Sequence, residues 1–117
     1  MNSVEEVLSR AQRKIGYKSQ WIKENYIEYR PGKNACYCAL GALGSAATDM
    51  GMRTGDKSDR VYETAIDLLY GAIPEQGVWA GETAIIRFND DPETTHEDVM
   101  RVFNYAIEEA KYHDVAN

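Results

Sequence analysis

The segment Asn34–Gly51 reads Asn-Ala-Cys-Tyr-Cys-Ala-Leu-Gly-Ala-Leu-Gly-Ser-Ala-Ala-Thr-Asp-Met-Gly, and Asp49 is its only charged residue. Asn34 is a suitable N-cap and Gly51 a suitable left-handed C-cap for a helix here. A helix that is apolar or small on all sides belongs in the interior of a fold. We therefore predict a buried central helix over 34–51. Its apolar stripe has helical spacing and consists of Ala35, Cys38, Ala39, Ala42, Leu43, Ala46, Ala47 and Met50.

Two glycines, Gly41 and Gly44, lie inside this predicted helix. Each destabilises a helix by about 1 kcal/mol relative to alanine. The usual reason to keep such a glycine is the close approach of another backbone. Cys36 and Cys38 lie on the same predicted helix, about 200° apart around its axis, so we expect both to be free thiols.

Three further segments have the pattern of an amphipathic helix. The first covers 3–15 and opens with Ser3 and Glu6 as a capping box. The second covers about 58–71, and the third about 95–112. We expect a mainly α, compact bundle of about four helices around the central one, in a single domain covering 1–117.

Two short segments are harder to assign. After the first helix, aromatic and β-branched residues predict a helical or irregular stretch near 19–24 and an extended piece near 26–30. The segment 83–88 is too short to assign from its periodicity and fits a strand or a helical turn. The bundle can therefore include a short extended pair near 26–30 and 83–88. Asn89–Thr95 is predicted to be a loop, because Pro92 forces Asp91 out of helical geometry.

Composition excludes several classes of protein. The chain has 44% hydrophobic and 27% charged residues, and its net charge of −6 argues against nucleic acid as a partner. No apolar run is long enough for a membrane span, and the N-terminus lacks a signal-peptide pattern, so we expect the cytoplasm. Residues 1–60 carry a net charge of +3 and residues 61–117 a net charge of −9. This asymmetry fits packing within one domain, docking onto a partner, or a homodimer.

Cys38, His96 and Asp90 are the candidate catalytic residues. A helix N-terminus lowers the pKa of a thiol, so Cys38 could act as a nucleophile, with His96 as its base and Asp90 orienting that base. The competing interpretation is that Cys38 packs as a small hydrophobe and His96 is a solvated side chain. The acids of Asn89–Glu93 lack the spacing of a calcium loop, and no zinc or phosphate-binding motif occurs. We expect no metal and no cofactor.

Four groups of residues resemble one known family. They are Trp21, the Cys38–Leu43 run, Phe88-Asn89-Asp90 with Pro92, and Thr95–Val99. Their order is similar to that in a family of small proteins of unknown function from actinobacteria and their phages. That family usually has tryptophan where this chain has Phe88. The resemblance implies that Cys38 and Gly41 pack against Trp21 and the Asn89–Asp90 turn, as a pocket or as a solid core.

The leading functional hypothesis is a small phage- or prophage-type accessory protein that works by binding and not by turnover. Its target would be a host protein or a small, nucleotide-like ligand. The aromatic residues suit such recognition, and the expected binding residues are Trp21, Tyr26, Cys38, Asn89 and Asp90. The alternatives are a cysteine-dependent hydrolase or transferase, and a structural or assembly component.

Overall fold

The N-terminal helix α1 spans Ser3–Lys14 in the computed structural model, which describes residues 1–32, 34–75 and 77–115. Its cap lies one residue earlier than predicted. The Asn2 side chain accepts a hydrogen bond from the Glu5 backbone N–H, and the Glu5 carboxylate accepts one from the Asn2 N–H. Asn2 is favoured over Ser3 because its amide also donates to the carbonyl oxygen of Ala110 at 2.9 Å. This bond ties α1 to the end of the last helix.

The central helix α2 is shorter than predicted and spans Ala39–Asp49. Cys38 is its N-cap, so the predictions that Asn34 caps the helix and that Cys36 lies on it are wrong. Instead, strand β2, Cys36–Tyr37, pairs antiparallel with strand β1, Ile27–Glu28. Tertiary pairing therefore outweighs local helix propensity at the start of this segment. At its other end, Gly51 has φ +79°, as expected of a left-handed C-cap.

The remaining helices complete a mainly α fold. Helix α3 spans Arg60–Gly71, α4 spans Gly81–Asp90 and α5 spans His96–Ala110. The described residues thus form five α-helices, and a short 3₁₀ turn covers Lys18–Gln20. The possible strand at 83–88 is wrong because that segment lies inside α4, and β1 pairs with β2 instead. Asn89 and Asp90 likewise end α4 and do not begin a loop.

The core forms where α2 packs against α1 and α4, while α5 packs against α1 and α3. One side of α2 is fully enclosed, since Ala42, Leu43, Ala46 and Ala47 have no exposed surface. The opposite side is only partly covered: Gly44 and Ser45 are half-buried and Thr48 is exposed. The prediction of burial on all sides is therefore wrong for this small-residue face. None of the helices in the described ranges is both long and apolar enough to cross a bilayer.

Candidate functional site

The Asn89 side chain joins three segments of the chain at the predicted junction. Its Oδ1 accepts hydrogen bonds from the Trp21 indole N–H at 2.6 Å and from the Ala39 backbone N–H at 2.9 Å. Its Nδ2 donates to the carbonyl oxygen of Ile22 and to Oδ1 of Asp90, both at 3.0 Å. These four bonds use the full capacity of a carboxamide. Asn89 has no exposed surface, so its amide acts as an internal connector.

Asp90 and the end of α4 hold a strained turn in place. Glu24 has φ +72°, which is unfavourable for a non-glycine residue. Its backbone N–H donates to Oδ1 of Asp90 at 2.8 Å. Beside it, the Lys23 ammonium donates to the carbonyl oxygen of Asp91 at 2.6 Å and lies 5.4 Å from the centre of the Trp21 ring. A cation at a helix C-terminus is favourable, so this end of α4 fixes the turn.

Cys38 lies at the same junction and has a structural contact. Its Sγ accepts a hydrogen bond from the Gly41 N–H at 3.2 Å, which caps α2. The residue is only 4% exposed. Burial raises the pKa of the Cys38 thiol, and although the N–H groups of Gly41 and Leu40 oppose this rise, they do not cancel it. The predicted lowering of the thiol pKa by the helix N-terminus is therefore wrong, because desolvation outweighs it.

His96 is held by a different partner. Its Nε2 lies 2.6 Å from the carbonyl oxygen of Ile15, at the end of α1. Because a carbonyl only accepts, this contact places the proton on Nε2. The ring also stands 6.0 Å from that of Trp21. His96 thus links α1 to α5, and the described residues show no hydrogen bond from it to Cys38 or Asp90.

The structure separates Tyr26 from the other predicted binding residues. Trp21, Cys38, Asn89 and Asp90 meet at the junction through the bonds given above. Tyr26 contributes only its backbone, whose carbonyl oxygen accepts from the Cys38 N–H at 3.2 Å and packs directly on Gly41. Its side chain is exposed and lines a groove on the outer face of α2. A ligand-binding role for these five residues stays a prediction.

No cluster of three or more metal-ligating side chains occurs within the described residues. The acidic side chains that follow α4 accept hydrogen bonds from nearby backbone groups. The Asp91 side chain accepts from the Glu93 N–H at 2.9 Å, which shapes the turn. Asp98 and Thr95 form a capping box at the start of α5.

An open cleft of about 460 Å³ lies next to the junction, between the end of α3, α4 and α5. We call it the Trp79 cleft, after the indole at its rim. Trp79 is 46% exposed, and the Arg87 guanidinium stacks over its ring with Cζ 4.4 Å from the ring centre. Tyr105 also lines the cleft and is exposed. The floor is apolar and consists of Ala72, Ile73, Ala84, Phe88 and Val102.

Acids outnumber bases in the lining of the Trp79 cleft. The bases are Arg87 and Arg101, and Arg101 is already paired with Asp98 at 3.1 Å. Arg87 has no ion pair within the described residues, so its guanidinium is stacked but not neutralised. The acids are Glu75, Asp91, Glu93 and Asp98. The cleft therefore carries a net negative charge, with the stacked Arg87 guanidinium as a cation that has no ion pair within the described residues.

Sequence reasoning missed this cleft because its walls come from three separate helices. Two signals were present. Trp79 stands in a loop between Gly77 and Gly81, away from every apolar stripe. On α5, a second row at helical spacing runs beside the buried stripe and includes Asp98, Arg101 and Tyr105. Only the packing of α5 against α3 shows that both features line one cavity.

The described residues thus define a small, mainly α protein with a hydrogen-bonded polar junction and an open aromatic cleft. Residues 1–109 match the model of a family of unknown function, DUF6197. The chain belongs to this family. No curated protein and no solved structure matches the chain.

Proposed function

We propose that this chain is a small cytoplasmic accessory protein of the phage or prophage type that binds a host protein stoichiometrically at the Trp79 cleft, without turnover. The observation that carries the proposal is the half-exposed Trp79 indole, held at the rim by Arg87. Tryptophan and arginine are the side chains most enriched in binding hot spots. The phage assignment is supported by the sequence resemblance, and the cytoplasmic one by two free cysteines.

The chemistry of the cleft favours a peptide segment that combines a large apolar side chain with basic residues. The apolar side chain would lie on the floor beside Phe88 and Val102. Lysine or arginine side chains would face Glu75 and Glu93, whose charge steers cations toward the cleft. The same charge disfavours a phosphate-bearing ligand, so a nucleotide fits this cleft less well than a basic peptide does.

The surroundings of Cys38 and His96 favour binding over the cysteine-dependent alternative. A nucleophile must be accessible and ionised at neutral pH. Cys38 is buried, its thiol pKa is raised, and it caps a helix. The general base of that alternative, His96, contacts the Ile15 carbonyl instead.

A displayed random-peptide library selected on the immobilised protein tests the proposal. Selected peptides should carry an aromatic or leucine residue next to lysine or arginine, bind with one-to-one stoichiometry in calorimetry, and be recovered intact. Trp79→Ala should weaken their binding at least about tenfold, because the hot-spot side chain is lost. Tyr112→Ala, which removes another exposed aromatic, is the control and should bind like the wild type. Binding that is indifferent to Trp79→Ala, or cleavage of the peptide, would contradict the proposal.

A further inference from the structure

A second groove, separate from the Trp79 cleft, runs over the outer face of α2. Its volume is about 440 Å³, and Gly41 and Gly44 line it without side chains. We call it the α2 groove. Three tyrosines, Tyr26, Tyr37 and Tyr62, also line it. Its only charged residues within the described part of the chain are two acids, Asp49 and Glu82.

The Tyr62 hydroxyl points into this groove without a protein partner. The residue is only 4% exposed, and its oxygen would lie 3.9 Å from a Cβ atom built on Gly44. Among the described residues it makes no hydrogen bond. No buried side-chain nitrogen or oxygen of the described residues lacks a partner, so this hydroxyl oxygen is not sealed in the core and opens onto the groove. Tyr62 therefore offers two lone pairs and a proton to whatever enters the groove.

Burial, the Glu82 carboxylate and Tyr26 together raise the pKa of Tyr62 to about 12, and burial is the largest of the three causes. The hydroxyl is therefore neutral at physiological pH. Glu82 lines the same groove as Tyr62. Its carboxylate has no ion pair within the described residues, so it brings a negative charge without a counter-ion to the groove.

Two other lining residues of the groove already hold an ammonium group. The Lys14 ammonium lies 2.8 Å from Oδ2 of Asp49 and 5.6 Å from the centre of the Tyr37 ring. Glu82 and Tyr26 bring a second carboxylate and a second tyrosine ring to the lining, with the Tyr62 hydroxyl as an additional acceptor.

We infer that the α2 groove binds an organic ammonium group between the Glu82 carboxylate, the exposed Tyr26 ring and the unpartnered Tyr62 hydroxyl. The carboxylate supplies the counter-charge, the ring face attracts the cation, and the hydroxyl accepts an N–H bond when the group is a primary amine. The glycines of α2 leave the space that the group occupies. This site is independent of the proposed binding at the Trp79 cleft, so either can fail without the other.

Nuclear magnetic resonance titration of the ¹⁵N-labelled protein tests the inference, with choline chloride and n-butylamine hydrochloride as probes and sodium chloride at equal ionic strength as the blank. The amide signals of Gly44 and Ser45 should shift and saturate with at least one amine and not with sodium. An absence of saturation, or equal shifts with sodium chloride, would overturn the inference. Saturation by choline identifies a methylated group, and saturation by butylamine alone a primary amine.

Substitutions of the residues that line the α2 groove test where the amine binds. Glu82→Gln and Tyr26→Leu should each weaken binding of the amine at least about fivefold, because each removes one source of attraction for the cation. Tyr26→Phe keeps the ring and should bind within about twofold of the wild type. Glu97→Gln removes an exposed acid from α5 and should have no effect. Equal binding by Glu82→Gln and the wild type overturns the inference. Because these side chains are exposed, the variants should keep the wild-type circular dichroism spectrum.

A last titration separates the two sources of an ammonium group. Nα-acetyl-lysine amide represents a lysine side chain of a protein, and butylamine represents a free amine. Tighter binding of the lysine derivative assigns the groove to a protein lysine, and tighter binding of butylamine assigns it to a small amine. Tyr62→Phe should weaken the binding of whichever primary amine the groove takes. Its effect on choline binding should be smaller, since choline has no N–H to donate.

Discussion

The indole N–H of Trp21 donates to Oδ1 of Asn89 at 2.6 Å, and the same oxygen accepts the first backbone N–H of α2. One buried amide oxygen therefore satisfies both a side chain from the N-terminal third of the chain and the start of the central helix. Because Asn89 uses both of its amide protons as well, no other natural side chain of similar size can replace it.

Asn89→Asp should destabilise the protein severely despite its nearly equal shape. The carboxylate cannot donate to the Ile22 carbonyl, and it would be buried against Asp90. Loss of these bonds and burial of a charge should lower the free energy of unfolding by at least about 3 kcal/mol. Urea denaturation measures this change. Asn104→Asp is the control, because the hydrogen bond between Asn104 and Gln12 is exposed. This substitution should lower the free energy of unfolding by less than about 1 kcal/mol. Equal effects of the two substitutions would refute the connector role.

The two glycines of α2 should respond oppositely to alanine. A Cβ atom on Gly41 would overlap the carbonyl of Tyr26, so Gly41→Ala forces the β1 segment away from α2. We expect a loss of about 2–3 kcal/mol. Gly44 has only the Tyr62 hydroxyl within reach, at 3.9 Å, so Gly44→Ala should gain up to about 1 kcal/mol from helix propensity. Thermal and urea unfolding of the Gly41→Ala and Gly44→Ala variants measure the two changes in stability. A stable Gly41→Ala variant would show that the close approach is not required.

Native Cys38 should react slowly with thiol reagents. The residue is 4% exposed and its thiol pKa is raised by burial, so both access and ionisation are reduced. Labelling with a chromogenic disulfide at pH 8 should be at least about tenfold slower than in urea. The Cys36→Ala variant assigns the rate to Cys38. Rapid stoichiometric labelling of that variant in its folded state would restore the cysteine-dependent enzyme as a candidate.

Tyr62 should make the protein sensitive to alkali. Its pKa is about 12 in the folded state and 10.0 in the unfolded chain. Between these values the unfolded chain loses the proton first, so stability that is present below pH 10 falls as the pH rises toward 12. Tyr62→Phe should therefore reduce the decline of the urea midpoint between about pH 9 and 11. Tyr105→Phe removes an exposed tyrosine and should keep the wild-type decline. Identical slopes for both variants would argue against a buried neutral phenol at Tyr62.

The sequence predicted helices well where a repeating stripe and a capping pair agree. The third predicted helix, about 95–112, matches α5, which Thr95 and Asp98 cap, and Pro92 follows the end of α4. Prediction from the sequence failed where contacts between residues far apart in the chain decide the conformation. Cys36 joins a strand because Ile27 and Glu28 lie beside it, and Asn89 stays helical despite its low propensity because its amide is fully bonded. The Trp79 cleft could not be foreseen, since its walls meet only through helix packing.

The bond from the Ala39 N–H to Asn89 spans fifty residues of sequence. During synthesis on the ribosome, residues 39–49 emerge well before the amide that completes the start of their helix. Because such long-range contacts require closure of a large loop, we expect this helix to become protected only after α4 has left the exit tunnel. A nascent chain stalled before Asn89 should then remain open to proteolysis near Cys38, whereas one stalled beyond α5 should resist it.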